Sequence, residues 1–306
     1  MSQLILKILE ALREDIHMLP KDHIREAANE KPENLDVLFD IGIECAQNNR
    51  LEQAFCIFNE LALFKKGDPR IFYNLGLISS LMNEHQQALK FYEFAQNLDP
   101  LDPAIPINSG ASLNELKQYE KAIASLNRAI ALNPNIAEAW SNKGTALNEL
   151  KRYEEALSDY DKALALNPQH VEAWSNKGVS YAELRRYEEA LAHYDKALEL
   201  NPQYVEAWSN KGVTLNELKR YDEAIAAHDQ ALSLQPDYAQ AWSNKGMTLH
   251  ELKRYDEAIV HYDQALSLKP DYAQAWINKG MALHELKRFD EAIVHYDQAI
   301  SLQPEN

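Results

Sequence analysis

Apolar residues recur along this chain at the three-and-four spacing of a helix, in pairs of runs separated by a short polar turn. Between residues 137 and 170 the first run carries Trp140, Leu147 and Leu150, and the second carries Tyr153, Ala156, Leu157, Tyr160, Ala163 and Leu164. A stripe of this kind covers one side of a helix and needs a partner to bury it, so the spacing predicts a helical hairpin. No segment alternates with the period of two that a strand requires, and no strand is expected. Polar residues followed three positions later by Glu or Gln, as in Asn135/Glu138, Asp237/Gln240 and Asp271/Gln274, predict capping boxes at the starts of first helices. Asp-Pro, Asn-Pro, Gln-Pro or Lys-Pro closes the second helix, because proline lacks the N–H that would continue the ladder.

The pairs repeat. Trp140, Trp174, Trp208, Trp242 and Trp276 stand 34 residues apart, each within the phrase AW(S/I)NKG. Counting from Ala137 as position 1 gives eight contiguous units: 35–68, 69–102, 103–136, 137–170, 171–204, 205–238, 239–272 and 273–306. Position 8 is glycine and position 20 alanine in all eight, which predicts close helix contact at both places. Residues 1–34 diverge, but Ile24, Ala27 and Pro32 hold positions 24, 27 and 32 of a further unit, so this segment is expected to be an N-terminal helical hairpin.

An aromatic at position 4, glycine at 8, alanine at 20, an aromatic at 24, alanine at 27 and proline at 32 together resemble the tetratricopeptide repeat, over residues 35–306. The resemblance implies an all-α fold, a right-handed superhelical solenoid of stacked antiparallel helix pairs, with first helices on the concave face and second helices on the convex one. The tryptophans, and the position-24 residues Tyr92, Tyr160, Tyr194, Tyr262, Tyr296 and His228, are then expected to pack between helices.

Position 6 is asparagine in seven consecutive units, at Asn74, Asn108, Asn142, Asn176, Asn210, Asn244 and Asn278. Asparagine is a mediocre helix former, so its persistence asks for a reason outside helix propensity. Two residues beyond the core aromatic, it should face the groove, where one amide per repeat supplies the donor and acceptor that complement a peptide unit. Position 12 carries Asn114, Asn148, Asn216, His250 and His284 and is expected on the same face, tuning the groove together with positions 2, 5 and 9. The ladder, and phrases such as AWSNKG, resemble the repeat regions of O-GlcNAc transferase-like and bacterial repeat-containing glycosyltransferases, which implies binding of extended substrate protein. The chain is thus read as a scaffold holding an extended polypeptide, or alternatively as the substrate-recruiting arm of a larger glycosyltransferase. Glutamate at position 13 ahead of Lys and Arg at 15 and 16 reads as a solvated salt-bridge network.

Charge narrows the partners. Thirty-one basic against 47 acidic side chains leave a net charge of −16, which repels nucleic acid and anionic membrane and favours a neutral or basic protein segment. The last unit leaves an apolar face with Ile293, Tyr296 and Ile300, a surface for end-to-end self-association. Cys45 and Cys56 are too few for a disulfide framework, and Lys7 and Glu10 interrupt the apolar N-terminus, so a signal peptide is not expected and the location reads as cytoplasmic. The HELKR phrases at His250 and His284 lack the second histidine of a zinc protease, and His193, His261 and His295 at position 23 arrive one per repeat. No metal, cofactor or catalytic activity is expected.

Overall fold

The computed structural model describes residues 3–13 and 21–302; residues 14–20 of the expected N-terminal hairpin and residues 303–306 of the expected last unit lie outside the described residues. The described residues are all-α, with eighteen helices and no strand, in two compact units, Met1–Arg152 and Tyr153–Asn306. The first unit holds α1 (Gln3–Arg13), α2 (Lys21–Glu30), α3 (Pro32–Gln47), α4 (Leu51–Phe64), α5 (Pro69–Leu81), α6 (His85–Leu98), α7 (Ala104–Glu115), α8 (Tyr119–Leu132) and α9 (Ala137–Glu149). The second holds α10 (Tyr153–Leu166), α11 (Val171–Glu183), α12 (Tyr187–Leu200), α13 (Val205–Glu217), α14 (Tyr221–Leu234), α15 (Ala239–Glu251), α16 (Tyr255–Leu268), α17 (Ala273–Glu285) and α18 (Phe289–Leu302). In both, each helix packs antiparallel on its neighbour in the chain, as tetratricopeptide hairpins do.

The glycine at position 8 and the ring at position 24 make the hairpin. A Cβ on Gly178 would lie 2.6 Å from Cε1 of Tyr194, and one on Gly246 would lie 2.7 Å from Cε1 of Tyr262. Each ring rests on the bare backbone of the first helix, and Tyr194 and Tyr262 are buried. Ala190, Ala224 and Ala258 at position 20 are fully buried on the facing helix, so two small residues let the helices meet. The tryptophans are half-buried rather than enclosed, because each indole N–H turns outward to the carbonyl of the proline six residues earlier: Trp174 to Pro168, Trp208 to Pro202, Trp242 to Pro236 and Trp276 to Pro270, all at 2.9 Å. The bond ties the end of one hairpin to the start of the next. Trp208→Phe keeps most of the apolar surface but loses that bond, so a urea titration should show stability lower by about 0.5–1.5 kcal/mol.

The capping boxes do not form. The residues before α9, α15 and α17 are Ile136, Tyr238 and Tyr272, none with a side-chain cap. The polar group acts earlier, where Asn133, Asn167 and Asn201 accept from the N–H two residues on, across the proline, and so make an Asx turn instead. At the far end of each first helix the chain enters the left-handed region without glycine, at Lys117, Lys151, Arg185, Lys219, Lys253 and Lys287. Around Lys253 the Arg254 N–H reaches Leu249 O at 2.9 Å and the Lys253 N–H reaches His250 O at 2.8 Å, a Schellman closure. The cation beside the negative end of the helix dipole offsets part of the left-handed cost.

Candidate interaction face

Within the second unit the first helices α11, α13, α15 and α17 touch one another in sequence, more closely than the second helices do, and form a continuous row. Four positions on their open side share one helical face. Reading along it, α11 presents Glu172, Asn176, Val179 and Glu183, and α13 presents Glu206, Asn210, Val213 and Glu217. On α15 the set is Gln240, Asn244, Met247 and Glu251, and on α17 it is Gln274, Asn278, Met281 and Glu285. The outer acids and glutamines are exposed, the asparagines are half-buried between them, and Met281 is 45% exposed. The face is therefore an amide row and an apolar row, flanked on one side by carboxylates and on the other by two carboxylates and two glutamines.

The asparagines of the first unit, Asn74, Asn108 and Asn142, are likewise half-buried. Asn74 donates to its own helix at Arg70 O, and Asn108 donates to Ala104 O and to the Tyr73 hydroxyl, so these amides are oriented by local bonds. Asn278 accepts from the Gln274 amide at 2.8 Å. Position 12 varies in depth, from buried Asn216 to exposed His284. Asn114 donates to the main-chain carbonyl of Asn142 in the next repeat at 2.9 Å, and the carbonyl oxygens of Asn114 and Asn216 are buried without a partner. His250 and His284 pack edge-on against Tyr255 and Phe289; Asn148 is half-buried and His284 exposed. Position 5 leaves the face altogether: Ser141, Ser175, Ser209 and Ser243 are buried, since this position points between hairpins.

Two ladders join successive repeats that the spacing alone did not reveal. Glutamate at position 13 pairs with tyrosine 30 residues earlier instead of with the nearby cations: Tyr119 donates to Glu149, Tyr153 to Glu183 and Tyr187 to Glu217. The arginines at position 16 pair along their own second helix, Arg220 with Glu223, Arg254 with Glu257 and Arg288 with Glu291. The phenol fixes the place of the position-13 carboxylate. The second ladder runs from aspartate to lysine 16 residues on: Asp161–Lys177, Asp195–Lys211, Asp229–Lys245 and Asp263–Lys279, at 2.6–2.7 Å. Its signal in the sequence is the co-occurrence of Asp at position 25 with Lys at position 7 of the next unit.

Histidines at position 23 stack on tryptophan, His261 on Trp242 and His295 on Trp276, with His193 tilted against Trp174. Burial holds all three below the ordinary imidazole range. Among the described residues no cluster of three or more His, Cys, Asp or Glu could hold a metal ion, and no helix is long and apolar enough to cross a membrane. The thiol of Cys45 is buried, which raises its pKa to about 11.

The hairpin repeat, the glycine–ring contact and the small-residue interfaces agree with comparison to known proteins. Family models described as tetratricopeptide repeat match residues 69–100, 110–150, 137–170, 171–204, 203–271 and 237–305. No curated protein matches the chain. Among solved structures, the Cut9–Hcn1 hetero-tetramer of the APC/C is similar over 83% of this chain, with a TM-score of 0.67 and 16% identity. This chain spans 50% of the length of that one. Pseudomonas aeruginosa PilF is similar over 67% of this chain and 93% of its own, with a TM-score of 0.57 and 21% identity. MamA from Desulfovibrio magneticus RS-1 is similar over 56% of this chain and 96% of its own, with a TM-score of 0.51 and 24% identity. Such identities speak to fold alone. The chain belongs to the tetratricopeptide-repeat family.

Proposed function

We infer that this chain is a protein-interaction scaffold that holds an extended polypeptide along the open side of its first helices. The observation that carries the reading is the face of the second unit, where Asn176, Asn210, Asn244 and Asn278 stay half-buried between rows of exposed side chains. An amide held in that setting offers hydrogen bonds to a main chain in a place partly screened from water, where they are worth most. Val179, Val213, Met247 and Met281 add apolar contact beside it, and Glu183, Glu217, Glu251 and Glu285 favour neutral or basic segments. Within the first unit Asn74, Asn108 and Asn142 hold the same register position, and position 12 contributes Asn148 there and His284 in the second unit. The alternative, a substrate-recruiting arm of a glycosyltransferase, would use the same amides. It requires a nucleotide-sugar domain in the same reading frame.

The test is affinity capture with the intact chain beside a variant carrying Asn176→Ala, Asn210→Ala and Asn244→Ala, matched for helicity and melting temperature. Each amide is worth about 0.5–1.5 kcal/mol net, so the three together should weaken a groove-bound segment by about tenfold or more. Recovery of the same partners at the same strength by both proteins would sink the reading.

A further inference from the structure

Each first helix of the second unit brings one position-13 carboxylate, one amide and one apolar side chain to the open face, so the face repeats with the spacing of the helices themselves. Successive first helices are in direct contact, which sets their axes about 8–10 Å apart. That distance gauges any chain laid across them. A β-strand rises about 3.3 Å per residue and alternates its side chains, so it returns to the same side only after about 6.6 Å or about 13 Å. Neither length matches the repeat. A polyproline II helix rises about 3.1 Å per residue with three residues per turn, so every third side chain points the same way about 9.3 Å further on. It advances one turn per repeat.

The same conformation suits the amides. Polyproline II makes no hydrogen bonds within itself, so its main-chain groups are open to Asn176, Asn210, Asn244 and Asn278. Charge then fixes one position of the three. Glu183, Glu217, Glu251 and Glu285 are exposed and unbroken along one edge, whereas the other edge changes from Glu172 and Glu206 to Gln240 and Gln274. Two of the unbroken row are held in place, Glu183 by the Tyr153 hydroxyl at 3.1 Å and Glu217 by that of Tyr187 at 3.3 Å. The arginines nearby in sequence are engaged elsewhere, Arg220 with Glu223, Arg254 with Glu257 and Arg288 with Glu291. A carboxylate already held loses little freedom on meeting a cation, which favours the pairing.

We propose, building on the scaffold reading, that the segment held by the second unit is a polyproline II helix with a lysine or arginine at every third residue. Its basic side chains meet the position-13 glutamates, one per repeat, while its main chain meets the asparagines. A second side of each triplet lies on Val179, Val213, Met247 and Met281. The partner is a proline-rich basic segment of about twelve residues, three for each of the four first helices.

The probe is a fluorescein-labelled peptide of five Lys-Pro-Ala triplets. Its control is an isomer of the same length, composition and proline positions, in which the second and fourth lysines each exchange places with the alanine before them. By anisotropy at physiological salt the regular peptide should bind the intact chain saturably and one to one. It should bind about three- to tenfold tighter than the isomer, which loses two exposed pairs in any register. A variant carrying Glu183→Gln, Glu217→Gln and Glu251→Gln, whose amides still accept from the phenols, should bind the regular peptide more weakly and erase the preference. Circular dichroism checks that its helicity is parental. Equal affinity of the intact chain for the two peptides, or no saturable binding of either, overturns the proposal. The Asn176→Ala, Asn210→Ala and Asn244→Ala variant separates that failure from failure of the scaffold reading: if it weakens both peptides alike while the intact chain does not distinguish them, the groove stands and the triplet register falls. Where neither peptide binds, affinity capture of partners still judges the groove.

Discussion

Gly178→Val is expected to open the α11–α12 hairpin at a cost of about 3 kcal/mol or more, at the upper end of what overpacking a close-packed interior produces. Even the Cβ of the new side chain would fall 2.6 Å from Cε1 and 2.8 Å from Cδ1 of Tyr194. The ring has little freedom to yield, because Tyr194 is 1% exposed and packs in one buried cluster with Leu215 of the next repeat. Alanine would be a weaker test, since its gain in helix propensity over glycine offsets part of the clash. In a stacked array the damage spreads chiefly to nearest neighbours, so hydrogen exchange should accelerate in α11 and α12 and less in α15 and α16. Combining Gly178→Val with Tyr194→Ala should recover part of the loss by removing the obstructing ring. If protection in α11 and α12 is unchanged by Gly178→Val alone, the glycine–ring contact is not what joins the hairpin.

That contact was half legible in the sequence: glycine at position 8 announced a close helix approach and the ring at position 24 a packed side chain, but nothing in the spacing paired the two. The hairpins themselves were legible from apolar spacing and the prolines. The left-handed turn at Lys151, Arg185, Lys219, Lys253 and Lys287 carries no glycine to announce it, and its hydrogen bonds are main-chain, invisible in side-chain chemistry. The capping expectation failed at Asn135 because the Asx turn of Asn133 before proline sets helix entry, and at Asp237 and Asp271, where Gln235 and Lys269 stand before the proline, the cap likewise falls one residue later, on Tyr238 and Tyr272. Glu183 and Glu217 were read with the nearest cations in sequence, whereas their tyrosine partners stand 30 residues away and adjacent only after stacking. Position 6 was placed from its offset to the core aromatic, but the same logic put position 5 on the face, where Ser175 and Ser209 are buried instead. One residue is about 100° on a helix, enough to turn a side chain from solvent to interior.

His228→Tyr is expected to stabilise the protein at neutral pH and to remove much of its sensitivity to acid. His228 takes the place of tyrosine at position 24, is 0% exposed, and has both ring nitrogens buried without a hydrogen-bond partner. Burial pushes its pKa from 6.5 down to about 4; adjacent Asp229 opposes the fall and Lys245 on α15 adds to it. The folded state therefore keeps the imidazole neutral while the unfolded chain takes up a proton below about pH 6.5. Stability from this group is full above pH 6.5, declines as pH falls, and is lost by about pH 4, a total of about 3 kcal/mol. His193, His261 and His295 are depressed in the same direction but are common to both proteins, so the difference between the two pH profiles isolates His228. Tyrosine also suits the site's register: the same position is held by the buried Tyr194 and Tyr262 in the flanking repeats. Removing two orphaned nitrogens should raise stability at pH 7 by about 1–3 kcal/mol. Urea titrations of both proteins from pH 7 to pH 4 decide the matter, because a pH slope unchanged by the substitution would mean that His228 is protonated, or solvated, in the native state.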